Sequence, residues 1–289
     1  MTLGDVLYQT RCELAKANID CSTTEAELLL CHALAISKTQ LYTEPERLLT
    51  TRELNHLRHL VQRRLLHEPI AYILSGCEFY GTEFYIDHRA LIPRPETELL
   101  VEKAIDFARH HLTPGTQLTI ADIGTGSGAI AISLALALPQ AKIYATDISA
   151  SALEVANINR RRYKVDSQVE LLQGNLLEPL PEPVDMIVAN LPYIRNSELR
   201  TLSPEIVNFE PMSAIAGGNA GWDKIRLLLD QVPGKLRPNG CLLLEIGQGQ
   251  DKAVSSMAEC DFPQAGVELV PDLSGTNRVV KIMLPFECA

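Results

Sequence analysis

Asp122-Ile123-Gly124-Thr125-Gly126-Ser127-Gly128 is the stretch on which the fold turns. It follows an apolar run at 118–123 that reads as a strand. It precedes the apolar run 129–139, which contains a serine, ends at a proline and reads as a buried helix. Glycines let the backbone turn tightly and come close to a ligand, and the following helix presents free N–H groups at its start. A plain strand-to-helix turn has no use for three glycines in five residues. Gly124-x-Gly126-x-x-Ala129 also satisfies a dinucleotide fingerprint, so the loop by itself leaves the cofactor open.

Outward from this loop, strands and helices alternate. Strands are expected at 118–123, 142–146, 169–173, 184–190, 241–246, 267–270 and 278–283, with helices at 96–110, 128–138, 149–162, 222–236 and 249–260. Such alternation implies an α/β fold with a doubly wound, mostly parallel sheet. The last two strands have no helix between them and should pair antiparallel at one edge. Upstream, 77–86 reads as a hairpin with a Gly81-Thr82 turn, a connector between domains. Residues 1–68 read as helices, with capping boxes at Ser22-x-x-Glu25 and Thr50-x-x-Glu53. The helix opened by Thr50 puts Leu54, Leu57, Val61 and Leu65 on one face and Arg52, His56, His59, Arg63 and His67 on the other. That basic stripe is either a solvated face or a contact surface for an acidic protein or RNA. The expected organisation is a helical domain over 1–75, a hairpin connector over 76–89 and a catalytic domain over 90–289.

Two further signals bear on the ligand. Asp147 ends the second strand, 19 residues after Gly128, where a carboxylate can accept hydrogen bonds from ribose hydroxyls. It also suits a helix N-cap, and the two roles are compatible. After the fourth strand comes Asn190-Leu191-Pro192-Tyr193: an amide acceptor, a stiff turn and a flat ring, able to grip a planar group that carries an NH₂.

With these residues in view, the chain resembles the HemK/PrmC-type peptide chain release factor glutamine methyltransferases over nearly its whole length. The resemblance is carried by Pro69-Ile70-Ala71-Tyr72-Ile73-Leu74, Leu91-Ile92-Pro93-Arg94-Pro95-Glu96-Thr97-Glu98, the 122–128 loop, Asn190–Tyr193, Phe209-Glu210-Pro211 with Gly217-Gly218, and Leu242-Leu243-Leu244-Glu245-Ile246-Gly247. It implies a class I S-adenosylmethionine methyltransferase fold, seven-stranded with one antiparallel edge strand, and an N-terminal helical domain that recognises the substrate. The implied cofactor is S-adenosylmethionine, held against Gly124, Thr125, Gly126, Ser127, Gly128, Asp147 and Asn190. The implied target is the glutamine of a Gly-Gly-Gln motif in a release factor, methylated at N5 and held by Asn190, Leu191, Pro192 and Tyr193 as catalytic and substrate-binding residues.

Two positions depart from the family pattern. Leu191 stands where the family has the first of two prolines. Asn175 and Leu176 stand where it often has an acid and an adenine-stacking aromatic ring. Asn175 is expected to hydrogen-bond the adenine amino group, and Leu176 to cover the ring by apolar contact. The Asn190 side-chain oxygen and the residue 191 carbonyl are expected to accept the two amide hydrogens of the target.

Composition narrows the alternatives. Net charge is −10, and residues 1–75 carry 8 basic and 9 acidic residues, so the remainder holds −9 of it. An adenine-N6 methyltransferase could use the same Asn-x-Pro-Tyr grip, but it needs a basic channel to reach a base, and no stable nucleic-acid binding is expected. A nicotinamide-dependent dehydrogenase leaves Asn190–Tyr193 unexplained, and a purely non-catalytic binding module leaves the glycine loop unexplained. Seven cysteines, none in a Cys-x-x-Cys pair, point to idle thiols in a reducing compartment rather than to disulfides or zinc. No apolar run reaches the ~18 residues of a membrane span, and the opening residues carry no export signal. A cytoplasmic, metal-free monomer is the expectation.

Overall fold

Five helices open the chain: α1 (Leu3–Lys16), α2 (Ser22–Leu34), α3 (Lys38–Thr43), α4 (Thr51–Leu65) and α5 (Ile70–Leu74). Three are started by reciprocal capping boxes, Thr2 with Asp5, Ser37 with Gln40 and Thr50 with Glu53. The box expected at Ser22 and Glu25 does not form. Cys21 occupies the N-cap without a side-chain bond, and Ser22 is already helical. Glu25 is drawn instead to Arg64, a buried guanidinium that also bonds Glu205. Leaving a buried charge unpaired costs several times what one helix cap contributes, so the pair wins. On α4, Leu57, Leu60 and Val61 are buried with Leu14, Leu29 and Leu30 of the preceding helices. The opposite face keeps Arg52, His56 and His59 exposed. Arg63 is folded onto Glu68, with Nε donating at 2.8 Å, which shortens the basic stripe.

The structure, a computed structural model, describes residues 1–111 and 117–285; Cys288 lies outside them. The chain divides into two units, one of Met1–Ser75 with Ser203–Phe209 and the other of the rest. The larger unit begins with the hairpin β1 (Cys77–Phe79) and β2 (Thr82–Phe84). Phe79 pairs with Thr82, so the turn is Tyr80-Gly81, one residue earlier than expected. Both turn residues have positive φ, 50° and 67°, as the hairpin turn matching strand twist requires. Phe79 and Phe84 pack edge-on with ring centroids 6.2 Å apart inside the core of the larger unit. The hairpin is therefore part of that unit rather than a free-standing connector.

Along the chain there follow α6 (Glu98–His111), β3 (Thr119–Ile123), α7 (Ala129–Ala137), β4 (Lys142–Asp147), α8 (Ala150–Arg162), β5 (Val169–Gln173), β6 (Val184–Ala189), α9 (Pro204–Phe209), which belongs to the first unit, α10 (Asp223–Gln231), β7 (Leu236–Glu245), α11 (Asp251–Asp261), β8 (Gly266–Pro271) and β9 (Asn277–Met283). The seven later strands form one sheet in the order β5-β4-β3-β6-β7-β9-β8. All pairings are parallel except those of β9 with β7 and β8. The expected antiparallel strand is present, and the structure places it one position in from the rim. The helix expected over 222–236 stops at Gln231, because Pro233 and the positive φ of Gly234 break it and free the chain to start β7 at Leu236. Every residue of β3 is buried, as a strand covered on both faces demands. Ile120, Ile143, Met186 and Leu243 face one apolar layer with α6 and α7, and Ala121, Tyr144, Ile187 and Leu242 face the other with α10 and α11. Successive strands step away from β3 on one side, then the chain returns to lay β6 on the other. This reversal leaves a crevice beyond the C-terminal ends of β3 and β6.

Candidate active site

That crevice holds a cavity of ≈ 340 Å³. Its wall includes eight of the residues singled out in the sequence: Gly124, Gly126, Asp147, Asn175, Leu176, Asn190, Leu191 and Pro192. The glycine loop reaches it by a sharp turn in which Gly124, Gly126 and Gly128 all take positive φ. The N–H groups of Gly124 and Thr125 both donate to the Thr146 carbonyl, and the Gly126 N–H donates to Asp147 Oδ2 at 2.9 Å. A side chain on Gly126 would meet no atom closer than 4.0 Å, so the loop leaves open space there. A side chain on Gly124 would come within 3.2 Å of the Leu191 side chain, which closes that end.

Thr125, Ser127 and Gly128 were expected against the cofactor and do not line the cavity. They are supports. The Thr125 hydroxyl donates to Asp122 at 2.6 Å. The Ser127 carbonyl accepts from the buried Asn159 of α8, which also clamps the backbone of Tyr85. Gly128 lets α7 pack closely on Ala156. Asp122 is fully buried, and burial pushes its carboxyl up to about 7 against the hydrogen bonds from Thr125 and Ala131.

Asp147 Oδ1 accepts from the Ser149 N–H at 2.8 Å and Oδ2 from Gly126, so each oxygen keeps a lone pair for a ligand. Burial raises its pKa, opposed by the backbone donors of Ser149, Gly126 and Ile148. The next residue, Ile148, is 67 % exposed and lies on the cavity wall. A β-branched apolar side chain so exposed beside a carboxylate suits the face of a planar ring. Sequence reading passed over it, although its place directly after Asp147 was a usable signal. The wall also includes Asn175, whose amide donates to Glu178, and Leu176 with a φ of 53°. The Leu176 carbonyl is tied to the Thr146 hydroxyl at 3.0 Å, which fixes this loop on β4.

Asn190 ends β6, and its Nδ2 donates to the Thr97 hydroxyl at 2.9 Å, leaving the amide oxygen for the cavity that the residue lines. Leu191 is buried with its side chain against Gly124, at the edge of the cavity that it helps to line. Tyr193, expected against the substrate amide, is not on the cavity wall. Its carbonyl accepts from Gln250 at 2.9 Å, and its hydroxyl donates to Glu245 Oε1 at 3.3 Å. Its ring packs so tightly on Gly247 that a side chain there would come within 3.0 Å. Burial, then the Glu245 charge, raises the Tyr193 pKa. Glu245 ends β7 almost completely buried. Burial lifts its carboxyl to about 7, against hydrogen bonds from Thr97 and Tyr193 and the charge of Arg278. Thr97, Glu245 and Gln250 are neighbours of this turn that the sequence alone does not bring to it, although Thr97 and Glu245 lie inside the quoted motifs.

The strand order is that of a dinucleotide-binding sheet with one antiparallel strand inserted before the last. That insertion, with the Asn-x-Pro-Tyr turn in the crevice, places the domain among the class I S-adenosylmethionine-dependent methyltransferases. A solved methyltransferase from Pyrococcus furiosus has the same fold, with a TM-score of 0.52 at 19 % identity over 78 % of this chain and 98 % of that one. Residues 97–208 match the methyltransferase small domain and residues 5–74 the PrmC N-terminal domain. The release factor glutamine methyltransferase of Moorella thermoacetica is 39 % identical over 96 % of this chain and 97 % of its own length. That of Thermodesulfovibrio yellowstonii is 37 % identical over 89 % and 90 %. The chain belongs to the release factor glutamine methyltransferase family.

Proposed function

We propose that this protein methylates the side-chain amide nitrogen, N5, of the glutamine in the Gly-Gly-Gln motif of peptide chain release factors, with S-adenosylmethionine as donor. The observation that carries this reading is the orientation of Asn190: its amide nitrogen is committed to Thr97, and its oxygen is left as an acceptor at the wall of the cavity. An acceptor there suits a donor NH₂ group.

The residues fit the cofactor. Asp147, with one free lone pair on each oxygen, would hold the ribose hydroxyls. Ile148 and Leu176 would cover the adenine, with Asn175 at its amino group. The open backbone at Gly126 would admit the methionine portion. Bound there, S-adenosylmethionine supplies a methyl group on a sulfonium sulfur, an electrophile with a good leaving group.

The difficulty lies in the nucleophile, since an amide nitrogen shares its lone pair with its carbonyl. Asn190 Oδ1 would accept one amide hydrogen and the Leu191 carbonyl the other. These two contacts fix the nitrogen at near-attack distance and favour its positive, pyramidal transition state. Pro192 biases residue 191 toward extended backbone, which lets that carbonyl point outward without a proline at 191. Tyr193 braces the turn from behind rather than contacting the target. As the N–C bond forms, the nitrogen becomes cationic, and its proton then passes to water, so no general base is needed beforehand.

The N-terminal helical unit, with Arg52, His56 and His59 exposed on α4, is the proposed recognition surface for the release factor. Among the described residues, no helix is long and apolar enough to cross a membrane; a cytoplasmic monomer without stable nucleic-acid binding is the setting we propose. The test is direct. Incubate the protein with S-adenosylmethionine and purified release factor, then weigh the Gly-Gly-Gln peptide. A gain of one methylene on the glutamine supports the reading, and an unmodified peptide overturns it.

A further inference from the structure

A backbone carbonyl is only as well placed as the chain that carries it. Leucine at 191 leaves that residue's φ without a ring to lock it, whereas the ring of Pro192 locks the next φ. The Leu191 carbonyl therefore moves with whatever holds Pro192 and the residues after it.

Those residues are held group by group. A side chain on Gly217 would come within 2.7 Å of both the Pro192 carbonyl oxygen and Tyr193 Cα, so only glycine lets the two stretches of chain approach this closely. Ile194 is tied to the same stretch in both directions. Its N–H donates to the Ile215 carbonyl at 3.2 Å, and its carbonyl accepts the Gly217 N–H at 2.8 Å. Between them, the Tyr193 carbonyl accepts from Gln250 Nε2 at 2.9 Å, while Gln250 Oε1 accepts the Gly247 N–H at 2.9 Å. Both ends of this buried amide are used, so its orientation is fixed. Neither Gln250 nor Gly217 lines the cavity, whereas Leu191, Pro192 and Ala216 do. The brace thus stands behind the wall and touches no reacting atom.

We propose that Gln250 and Gly217 are positioning residues for methyl transfer: Gln250 ties down the Tyr193 carbonyl, Gly217 seats the Pro192–Tyr193 peptide, and through the locked ring of Pro192 they fix the Leu191 carbonyl that receives a hydrogen of the target amide. This rests on the acceptor role given to that carbonyl above.

Gln250→Met keeps the length of the side chain and removes its bond to Tyr193. Single-turnover methylation of release factor, at saturating S-adenosylmethionine and saturating release factor, should slow at least about tenfold, because a misplacement of about 1 Å costs on the order of 10²-fold. Gly217→Ala, whose methyl group must push the turn away, should slow by on the order of 10²-fold. The dissociation constant for S-adenosylhomocysteine and the KM for release factor should stay within about twofold of wild type in Gln250→Met, since the loss falls on the reacting geometry and not on binding. Leu191→Pro should rescue. A ring at 191 restrains the same swing, so Gln250→Met with Leu191→Pro should recover at least about threefold, toward the rate of Leu191→Pro alone. A merely structural loss at the start of α11 would not respond to a proline at 191. Should Gln250→Met fail to fold, Gln250→Glu carries the test with the same expectations, because it keeps the acceptor for Gly247 and loses only the donor to Tyr193.

A wild-type rate in Gln250→Met, beside a wild-type protein that methylates release factor, overturns this inference and leaves the proposed function standing. A slowed rate that Leu191→Pro does not recover, or that comes with an equal loss of cofactor affinity, overturns it as well, because the residue then supports the fold or the cofactor rather than the turn. A wild-type protein that leaves the Gly-Gly-Gln peptide unmodified overturns the proposed function itself.

Discussion

Replacing Asp147 by alanine tests the cofactor site most sharply, and the structure says what else it disturbs. The carboxylate accepts the N–H of Gly126 at 2.9 Å and of Ser149 at 2.8 Å, and it offers one lone pair per oxygen to the ribose. The ribose contacts are hydrogen bonds to a charged group, each worth about 1.5–3 kcal/mol. Losing one such contact weakens cofactor binding by about 10- to 150-fold, at 1.4 kcal/mol per factor of ten. The two backbone donors lose their partner at the same time, so the loop bearing Gly126 is less well held and the free protein also melts lower. The two effects separate by measurement. Calorimetric titration with S-adenosylmethionine gives the affinity, and the melting temperature without cofactor gives the cost to the loop. A variant that melts lower yet binds the cofactor within twofold of wild type would refute the ribose role and leave Asp147 as a helix-start and loop residue only.

Further outcomes follow from the geometry. Leu191→Pro should keep single-turnover methylation within about threefold, because the position acts through its carbonyl. Leu191→Ala should lower the melting temperature and weaken cofactor binding, because it empties the space against Gly124 that the buried side chain fills; unchanged stability and affinity would disprove that packing role. Asn190→Ala should lose at least about 10²-fold in single-turnover rate, and near-normal turnover would reduce Asn190 to a turn residue. Arg52→Glu with His56→Glu should raise KM for intact release factor and leave cofactor affinity alone; Arg63 is the poorer choice, being already paired with Glu68. Equal KM values would make the stripe a solvated face. Asp122 and Glu245 have carboxyls lifted to about 7 by burial, above their unfolded values. Folding therefore favours their protonated forms, and stability contributed below about pH 4 is lost as pH rises through about 7. Melting temperature should fall across that window in wild type and fall less in Asp122→Asn; the same slope in both would contradict it.

The sequence by itself determined the sheet, the glycine loop, Asp147 and the Asn190–Tyr193 turn. Each is written in a few consecutive residues, because backbone conformation and the side chain that exploits it are set locally. The period of the apolar pattern gave strands and helices, and three positive-φ glycines required a loop no other residue type makes easily. Tertiary structure alone decided the rest. Thr97 meets Asn190 across 93 positions, Glu245 meets Tyr193 across 52, and Gln250 meets the same tyrosine across 57. Glu25 reads locally as a capping residue and becomes the partner of Arg64, 39 positions away. Leu176 and Ile148 read as ordinary apolar residues, and only the folded cavity shows both on its wall. Leu191 reads as a residue of the turn, and only the fold shows its side chain buried against Gly124. These assignments depend on which groups are taken from water together, and no stretch of chain contains both partners. Burial then makes the pairing compulsory, since a polar group left alone in the interior costs more than any local preference returns.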